Sequence, residues 1–124
     1  MPNIGIDVYR AGSDITARTS AAVEGSRFVK ITANAAEGLP VVAHADAAGR
    51  VAGVAKYAAS SGELVGVARG SSRVVRVEAG GAIAAFAEVE VGATGKAVTR
   101  TSGVAVGYAI SAAAGGVVHV SLNA

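Results

Sequence analysis

Glycine divides this chain into short pieces, and its spacing limits the fold more than any other feature. Seventeen glycines are spread along the 124 residues and interrupt the sequence roughly every eight to twelve positions. That interval suits the strands of an all-β sandwich or barrel. A packed helix needs about ten to twelve residues with apolar side chains at helical spacing, and no segment has them. The sequence therefore predicts an all-β fold.

Alternation of apolar and polar residues places the strands within these pieces. The predicted strands are "SRFVKITA", "LPVVAHA", "RVAGVAKY", "ELVGVAR", "RVVRVEA", "EVEV", "KAVTRT", "GVAVGYAI" and "GGVVHVSL". In the last of them, Val118, Val120 and Leu122 are expected to point inward. In "GVAVGYAI", four larger side chains are expected to share one side of the strand: Val104, Val106, Tyr108 and Ile110.

Short connections between these strands predict hairpins. "AASSG" and "GATG" have the length and the glycine of hairpin loops. "GATGKA" is similar to a phosphate-binding loop, but Glu90 stands where the first glycine belongs and Ala97 follows Lys96. It is therefore interpreted as a turn. Single helical turns are expected at "NAAEG", "GAIAAFAE" and "ISAAAGG".

The apolar residues are small, which predicts a thin core. Hydrophobic residues make up 52% of the chain, but aromatic residues only 4%, so alanine and valine dominate. A buried aliphatic side chain contributes about 1.5–3 kcal/mol and an alanine much less. We therefore expect part of the stability to come from association with other copies or with a larger partner.

The first residues have the pattern of a strand that lacks a partner. Ile4, Ile6 and Val8 alternate with less apolar residues, and an isolated strand leaves its backbone groups unpaired. The sequence thus predicts an extended N-terminal arm over residues 1–20 and a single β-barrel-like domain over residues 21–124. Added to a sheet edge on another protein, the arm would place these three side chains in a groove, with Tyr9 and Arg10 at its rim.

Charge and cysteine usage point to no special partner. The net charge is +2, there is no cysteine, and the densest basic group (Arg69, Arg73 and Arg76) is followed by Glu78. This group is interpreted as a solvated strand face, so no nucleic-acid partner is expected. The sequence has neither a signal-peptide pattern nor an apolar run long enough for a bilayer. We expect a soluble protein made in the cytoplasm, with no membrane partner.

Residues with catalytic potential are few and scattered. His44 and His119 each stand alone in an apolar strand, whereas a zinc site needs three or four ligands. Glu88 and Glu90 are expected together on the solvent face of one strand, and not across a cleft. No serine lies in a nucleophile elbow. The sequence therefore predicts no enzyme, no cofactor and no metal.

Four long segments, taken together, resemble the small capsid decoration (cement) proteins of tailed bacteriophages. They are "YRAGSDITARTSAAVEGSRFVKIT", "GRVAGVAKYAASSGELVGVARG", "RVVRVEAGGAIAAFAEVEVGATGKAVT" and "GVAVGYAISAAAGGVVHVSL", which span residues 9 to 122. The resemblance implies a small β-barrel or β-tulip-like protein on the outer surface of the virion capsid. It implies that the protein bridges major capsid protein subunits against the pressure of packaged DNA, as a homotrimer and without catalysis.

The chain departs from the pattern of that family at two positions. Ala11 stands where a proline is common, and Phe86 stands where the turn before "EVEV" more often has a glycine. An aromatic residue at this position either changes the turn or marks a contact special to this protein.

Two other interpretations remain open. The chain could be another virion component, such as a tail-tube or baseplate accessory protein, or a small binding module. A carrier module needs an exposed lysine, and Lys96 lacks the flanking pattern. A carbohydrate binder needs an aromatic platform, and four aromatic residues are too scattered to suggest one: Tyr9, Tyr57, Phe86 and Tyr108.

Overall fold

The computed structural model describes residues 12–123, and this part of the chain forms two β-sheets. The first is a closed barrel of β1 (Ile15–Thr19), β2 (Phe28–Ala36), β3 (Leu39–His44), β4 (Gly53–Ala55) and β5 (Leu64–Ala68), in the order β1-β3-β2-β4-β5. The second has β6 (Val74–Glu78), β7 (Glu88–Val91), β8 (Ala97–Thr99), β9 (Gly107–Ala109) and β10 (Val117–Leu122), in the order β6-β10-β9-β7-β8. This architecture confirms the all-β, barrel-containing fold. None of the helical structure within residues 12–123 has the length and apolarity to cross a membrane.

Strand β1 closes the barrel. It runs parallel to β3, with Arg18 opposite Val41, and antiparallel to β5, with Ile15 opposite Val67. Residues 15–19, which the sequence placed in the extended arm of residues 1–20, therefore belong to the barrel. The first eleven residues of that expected arm lie outside the described part of the chain.

The second sheet also comes close to closing on itself. Ala79, just after β6, forms a parallel bridge with Ala97 at the start of β8. The backbone N–H of Gly80 donates to the Ala97 carbonyl oxygen at 2.7 Å. The first and last strands of this sheet are thereby brought together at one end.

Two apolar clusters fill the molecule, and β2 contributes to both. Val29 is buried in the barrel core, while its neighbour Phe28 is buried among residues of the second sheet, including Val89 and Val118. Successive residues of a strand point to opposite faces, so one strand supplies both cores. Apart from Phe28, the largest fully buried side chains are all valines. The thin core that the composition predicts is present.

The turns agree with the sequence in part. β4 and β5 pair as the predicted hairpin, with Val54 opposite Ala68, and β7 and β8 flank the "GATG" turn, which contains a short 3₁₀ segment (Ala93–Gly95). The helical turn expected at "NAAEG" was wrong, because β2 continues to Ala36 and the chain reverses at Glu37 and Gly38. The other two expected helical turns are also replaced by non-helical loops.

The last two strands show where alternation predicts burial and where it does not. Val118, Val120 and Leu122 of β10 are buried, as expected. The prediction that four larger residues share one side of "GVAVGYAI" was wrong: Val106 is buried, whereas Val104, Tyr108 and Ile110 are exposed. The regular strand is only three residues long, so a single alternation does not extend over the whole segment.

Candidate interaction surfaces

The N-terminal end of the described chain is fixed by a pair of cations. The carboxylate of Asp14 accepts hydrogen bonds from Lys56 Nζ and from an Arg73 guanidinium nitrogen, both at 2.5 Å. The hydrogen bond from Lys56, and then that from Arg73, lowers the pKa of Asp14 below its usual value. Lys56 follows β4 and Arg73 precedes β6, so Asp14 ties the two sheets together where the chain approaches β1.

A recess of about 220 Å³ opens beside this cluster, between β6 and the barrel. Lys56 and Arg73 belong to its lining, together with Ala55, Ala68 and Arg76. The described part of the chain therefore begins close to this recess. The arm residues that the sequence singled out lie outside the described part: Ile4, Ile6, Val8, Tyr9 and Arg10.

Arg27 is the main polar link between the two sheets. Its guanidinium donates to Glu78 at 2.6 Å and forms a further ion pair with Glu24. The backbone N–H of Glu78 also donates to the Ser26 carbonyl oxygen at 2.8 Å. Because Arg27 is largely buried, these contacts hold β6 against the loop before β2 more firmly than a fully exposed pair would.

His44 serves as a hydrogen-bond acceptor. Its Nε2 accepts the backbone N–H of Glu24 at 3.0 Å, and burial, with the nearby charge of Arg27, lowers its pKa below the ordinary value of 6.5. Asp46, two residues further along the chain, pairs with Lys30 at 2.7 Å. Within residues 12–123, no three His, Asp or Glu side chains are grouped so that they could hold a metal ion.

Glu90 is buried, which corrects the expectation that it lies on the solvent face beside Glu88. Its carboxylate accepts the backbone N–H of Thr101 at 2.5 Å and those of Ser102 and Gly103 at 3.3 Å. These hydrogen bonds, with that of Thr101 the strongest influence, lower the pKa of Glu90. The residue is a structural anchor for the loop between β8 and β9.

The outward side of the second sheet carries exposed apolar side chains. Phe86 is 77% exposed, Tyr108 45% and Ile110 39%. The backbone N–H of Phe86 donates to the carbonyl oxygen of Ala109 at 2.7 Å, so Phe86 lies beside the stretch that carries Tyr108 and Ile110. We call these three side chains the apolar patch.

Phe86 occupies a turn that suits glycine. The N–H of Ala87 donates to the Ala84 carbonyl oxygen at 3.2 Å, which closes a four-residue turn, and Phe86 at its third position has φ of +69°. A turn with positive φ only at the third position favours glycine there. Phe86 thus adopts the backbone conformation that a glycine would adopt at this position of the turn.

Basic residues border the apolar patch on the same sheet. His119 of β10 lies opposite Arg76 of β6, and the N–H of Ile110 donates to the His119 carbonyl oxygen at 3.0 Å. Both basic side chains line a recess of about 170 Å³ with Ser111, Ala114 and other residues. In the described part of the chain, neither takes part in an ion pair.

A further hollow lies on the barrel side. It measures about 470 Å³ and is lined by Lys30, Ile31, Asp46, Arg50 and others. The Lys30–Asp46 ion pair lies across it, and no nucleophile with an adjacent base is present in its lining. Its side chains provide no arrangement for general acid–base or nucleophilic chemistry.

Comparison with known proteins places this architecture among phage proteins. A family model described as phage cement protein matches residues 9–123. Among solved structures, the head fiber gp8.5 N base of bacteriophage phi29 matches with a TM-score of 0.74 and 24% sequence identity, over 90% of this chain and 93% of that chain. At this level of identity, the likeness shows a shared fold. No curated protein is similar enough to this chain to match it.

Proposed function

The chain belongs to the phage cement protein family, which makes it a structural protein of the phage virion, and we propose that it binds the outer surface of the assembled capsid. There it bridges neighbouring major capsid protein subunits and stabilises the shell against the pressure of packaged DNA. The observation that carries this proposal is the family match itself, because it spans residues 9–123 of the 124.

The physical character of the molecule supports a role in assembly. Its buried side chains are mostly valine and alanine, so the free energy of burial per residue is modest. Binding to a rigid shell stabilises such a fold by mass action, since the shell binds only the folded state. We assign it no catalytic step, no cofactor and no nucleic-acid or membrane partner.

The N-terminal arm is the proposed capsid-binding element. Ile4, Ile6 and Val8 would seat in a groove of the major capsid protein, with Tyr9 and Arg10 at its rim, and the backbone would add a strand to an exposed sheet edge. Asp14, held by Lys56 and Arg73, fixes the point from which the arm extends. Each backbone hydrogen bond adds only about 0.5–1.5 kcal/mol, so several are needed.

We further propose that three copies act together. A homotrimer would place three arms on neighbouring capsid subunits, and linked binding sites raise the apparent affinity without any new contact. Bridging then follows from the spacing of the arms.

Electron cryo-microscopy of shells with and without added protein tests this assignment. The shells are assembled from the major capsid protein of the phage genome that encodes this chain. We expect extra density at three-fold positions outside the shell, and a higher temperature of shell disruption. Density only on tails or baseplates of complete particles, or none at all, would overturn the proposal.

The role of the arm needs a separate experiment. Replacing Ile4, Ile6 and Val8 together by serine should reduce occupancy on the shell strongly, because the apolar contacts are lost. A control with Gly5→Ser and Asp7→Asn changes the other side of the same strand and should retain binding. Equal occupancy of both variants would remove the arm from the mechanism but leave shell binding intact.

A further inference from the structure

We propose that the apolar patch (Phe86, Tyr108 and Ile110) is a second docking surface, which seats in an apolar hollow of the major capsid protein bordered by carboxylates. The inference rests on the proposed function, because it takes the capsid shell as the partner. It adds a contact made by the folded domain to the contact proposed for the arm.

Backbone strain at Phe86 is the first observation. A bulky residue at φ of +69° is unfavourable in the free protein, because its Cβ crowds the backbone in the left-handed region. The side chain does not compensate by burial, since 77% of its surface is exposed. An exposed residue that destabilises its own turn is best explained by a contact that its side chain makes with another molecule.

Tyr108 and Ile110 extend the exposed apolar surface beside Phe86. Tyr108 and Ile110 are both exposed, while Ala109 between them is buried, so both side chains point outward from the sheet. A few residues near the centre of an interface carry most of the binding energy of typical protein complexes, and tyrosine is among the residue types enriched there. Tyr108 lies in β9, and backbone hydrogen bonds to Ala109 and His119 hold Phe86 and Ile110 beside the sheet before binding occurs, which reduces the entropy lost on association.

Charge identifies the chemistry of the partner. Arg76 and His119 lie opposite each other on adjoining strands and line the recess next to the patch, and neither has an acidic partner within residues 12–123. The hydroxyl of Ser111 belongs to the same recess. A carboxylate from the partner would find a guanidinium, an imidazole and a hydroxyl there. A partner surface with acidic side chains beside an apolar hollow is therefore complementary to the Arg76–His119 side of the patch, while Glu88, which lies opposite Tyr108 on the other side, is already paired with Arg100.

The substitution Phe86→Gly separates binding from folding. Glycine relieves the strained backbone, so the melting temperature of the free protein should stay the same or rise. Loss of the aromatic side chain should raise the Kd for assembled shells about tenfold or more. Leu64→Ala is the matched control: it removes an exposed apolar side chain from β5 of the barrel and should leave the Kd unchanged.

A charge reversal tests the acidic partner. Arg76→Glu should weaken shell binding and reduce its dependence on salt concentration, since fewer charge pairs remain to be screened. Arg50→Glu makes the same change of net charge at an exposed site on the barrel side and should have little effect. Tyr108→Ser provides a second test of the apolar contact without touching the turn.

The outcomes separate this inference from the proposed function. If wild-type protein binds shells and Phe86→Gly binds equally well, the docking patch is refuted and the proposed function stands. If Phe86→Gly instead changes only the oligomeric state of the free protein in sedimentation, the patch joins copies of this chain, and the inference is wrong. If wild-type protein binds no shell, both are overturned.

Discussion

At the scale of single residues, glycines determine how closely strands can approach. A Cβ added to Gly53 would lie 2.4 Å from the carbonyl oxygen of Ala68, and one added to Gly107 would lie 2.4 Å from that of Ser121. Both distances are far below a normal van der Waals contact. One such glycine therefore lies in each sheet, in β4 of the barrel and β9 of the second sheet, at a place where no side chain fits.

Gly53→Ala should accordingly destabilise the protein by about 1–3 kcal/mol, the usual cost of forcing extra atoms into a packed site. Gly81→Ala is the control, because a Cβ at Gly81 meets no atom within 4 Å and the backbone there has no positive φ. Chemical denaturation of both variants measures the difference. Equal free energies of unfolding would show that the barrel opens readily at β4.

His44 should make stability depend on pH. Its pKa is lowered in the fold, so between this lowered value and 6.5 the unfolded chain binds more protons than the folded one. The contribution of neutral His44 to the free energy of unfolding is therefore complete above pH 6.5, and it is lost as the pH falls through the pKa of His44 in the folded protein. His44→Gln keeps an acceptor for the Glu24 N–H but does not titrate.

Melting temperatures measured from about pH 7.5 to about pH 5 test this prediction. The decline should be steeper for the wild-type protein than for His44→Gln. Parallel curves for the two proteins would mean that another group controls the decline. Glu90 and Asp14 also have lowered pKa values, but they lose their contribution only as the pH falls below the usual values of 4.5 and 3.8.

At the scale of secondary-structure elements, the alternation of apolar and polar residues predicted burial correctly in a strand that is paired on both sides. β10 pairs with β6 from Val117 to Ser121 and with β9 from Val120 to Leu122, and its Val118, Val120 and Leu122 are buried as the pattern indicates. β9 behaves differently, because Gly107 and Ala109 face the core and the larger Tyr108 faces outward. Hydrophobicity favours burying the larger residue, but the close approach of β10 at Gly107 leaves no room for it. Sequence alone does not reveal that approach.

The turn between β2 and β3 offers a way to stabilise an element. Ala36 pairs with Leu39, so the loop has two residues, Glu37 and Gly38, with φ of +54° and +78°. Two positive φ values in a two-residue hairpin correspond to a turn that prefers Asn-Gly.

Glu37→Asn should therefore raise the free energy of unfolding by about 1 kcal/mol, since asparagine tolerates the left-handed region better than glutamate. The ion pair lost with Arg18 is long (3.8 Å) and exposed, so its contribution is small. Glu37→Gln removes the charge without the turn preference and serves as the control. A similar gain for both variants would assign the effect to charge instead.

At the scale of the whole molecule, Phe28 joins the two sheets. It belongs to a barrel strand, yet its side chain is buried in the core of the second sheet. Phe28→Ala should cost about 3–5 kcal/mol, the usual cost of a large buried cavity. Hydrogen exchange should show faster opening in both sheets, at β5 and at β10. Unchanged protection in β5 would mean that the barrel folds independently.

The candidate docking surfaces could be predicted from sequence only in part. Phe86 stands out in the sequence because an aromatic residue occupies a turn position that more often has a glycine, and its positive φ gives that departure a physical basis. Its grouping with Tyr108 and Ile110 depends on strand register over more than twenty residues of chain, which local patterns do not encode. The first eleven residues of the expected arm lie outside the described part of the chain, so their docking groove remains a prediction.

The circular arrangement of strands has a consequence for crowding. In the described part of the chain, every barrel strand is paired on both sides. The Ala79–Ala97 bridge connects the two outermost strands of the other sheet at one end. Open β-sheet borders are templates on which further chains can stack into fibres. Under the proposed function many copies would lie close together on one shell, and few such templates would keep neighbouring copies from aggregating.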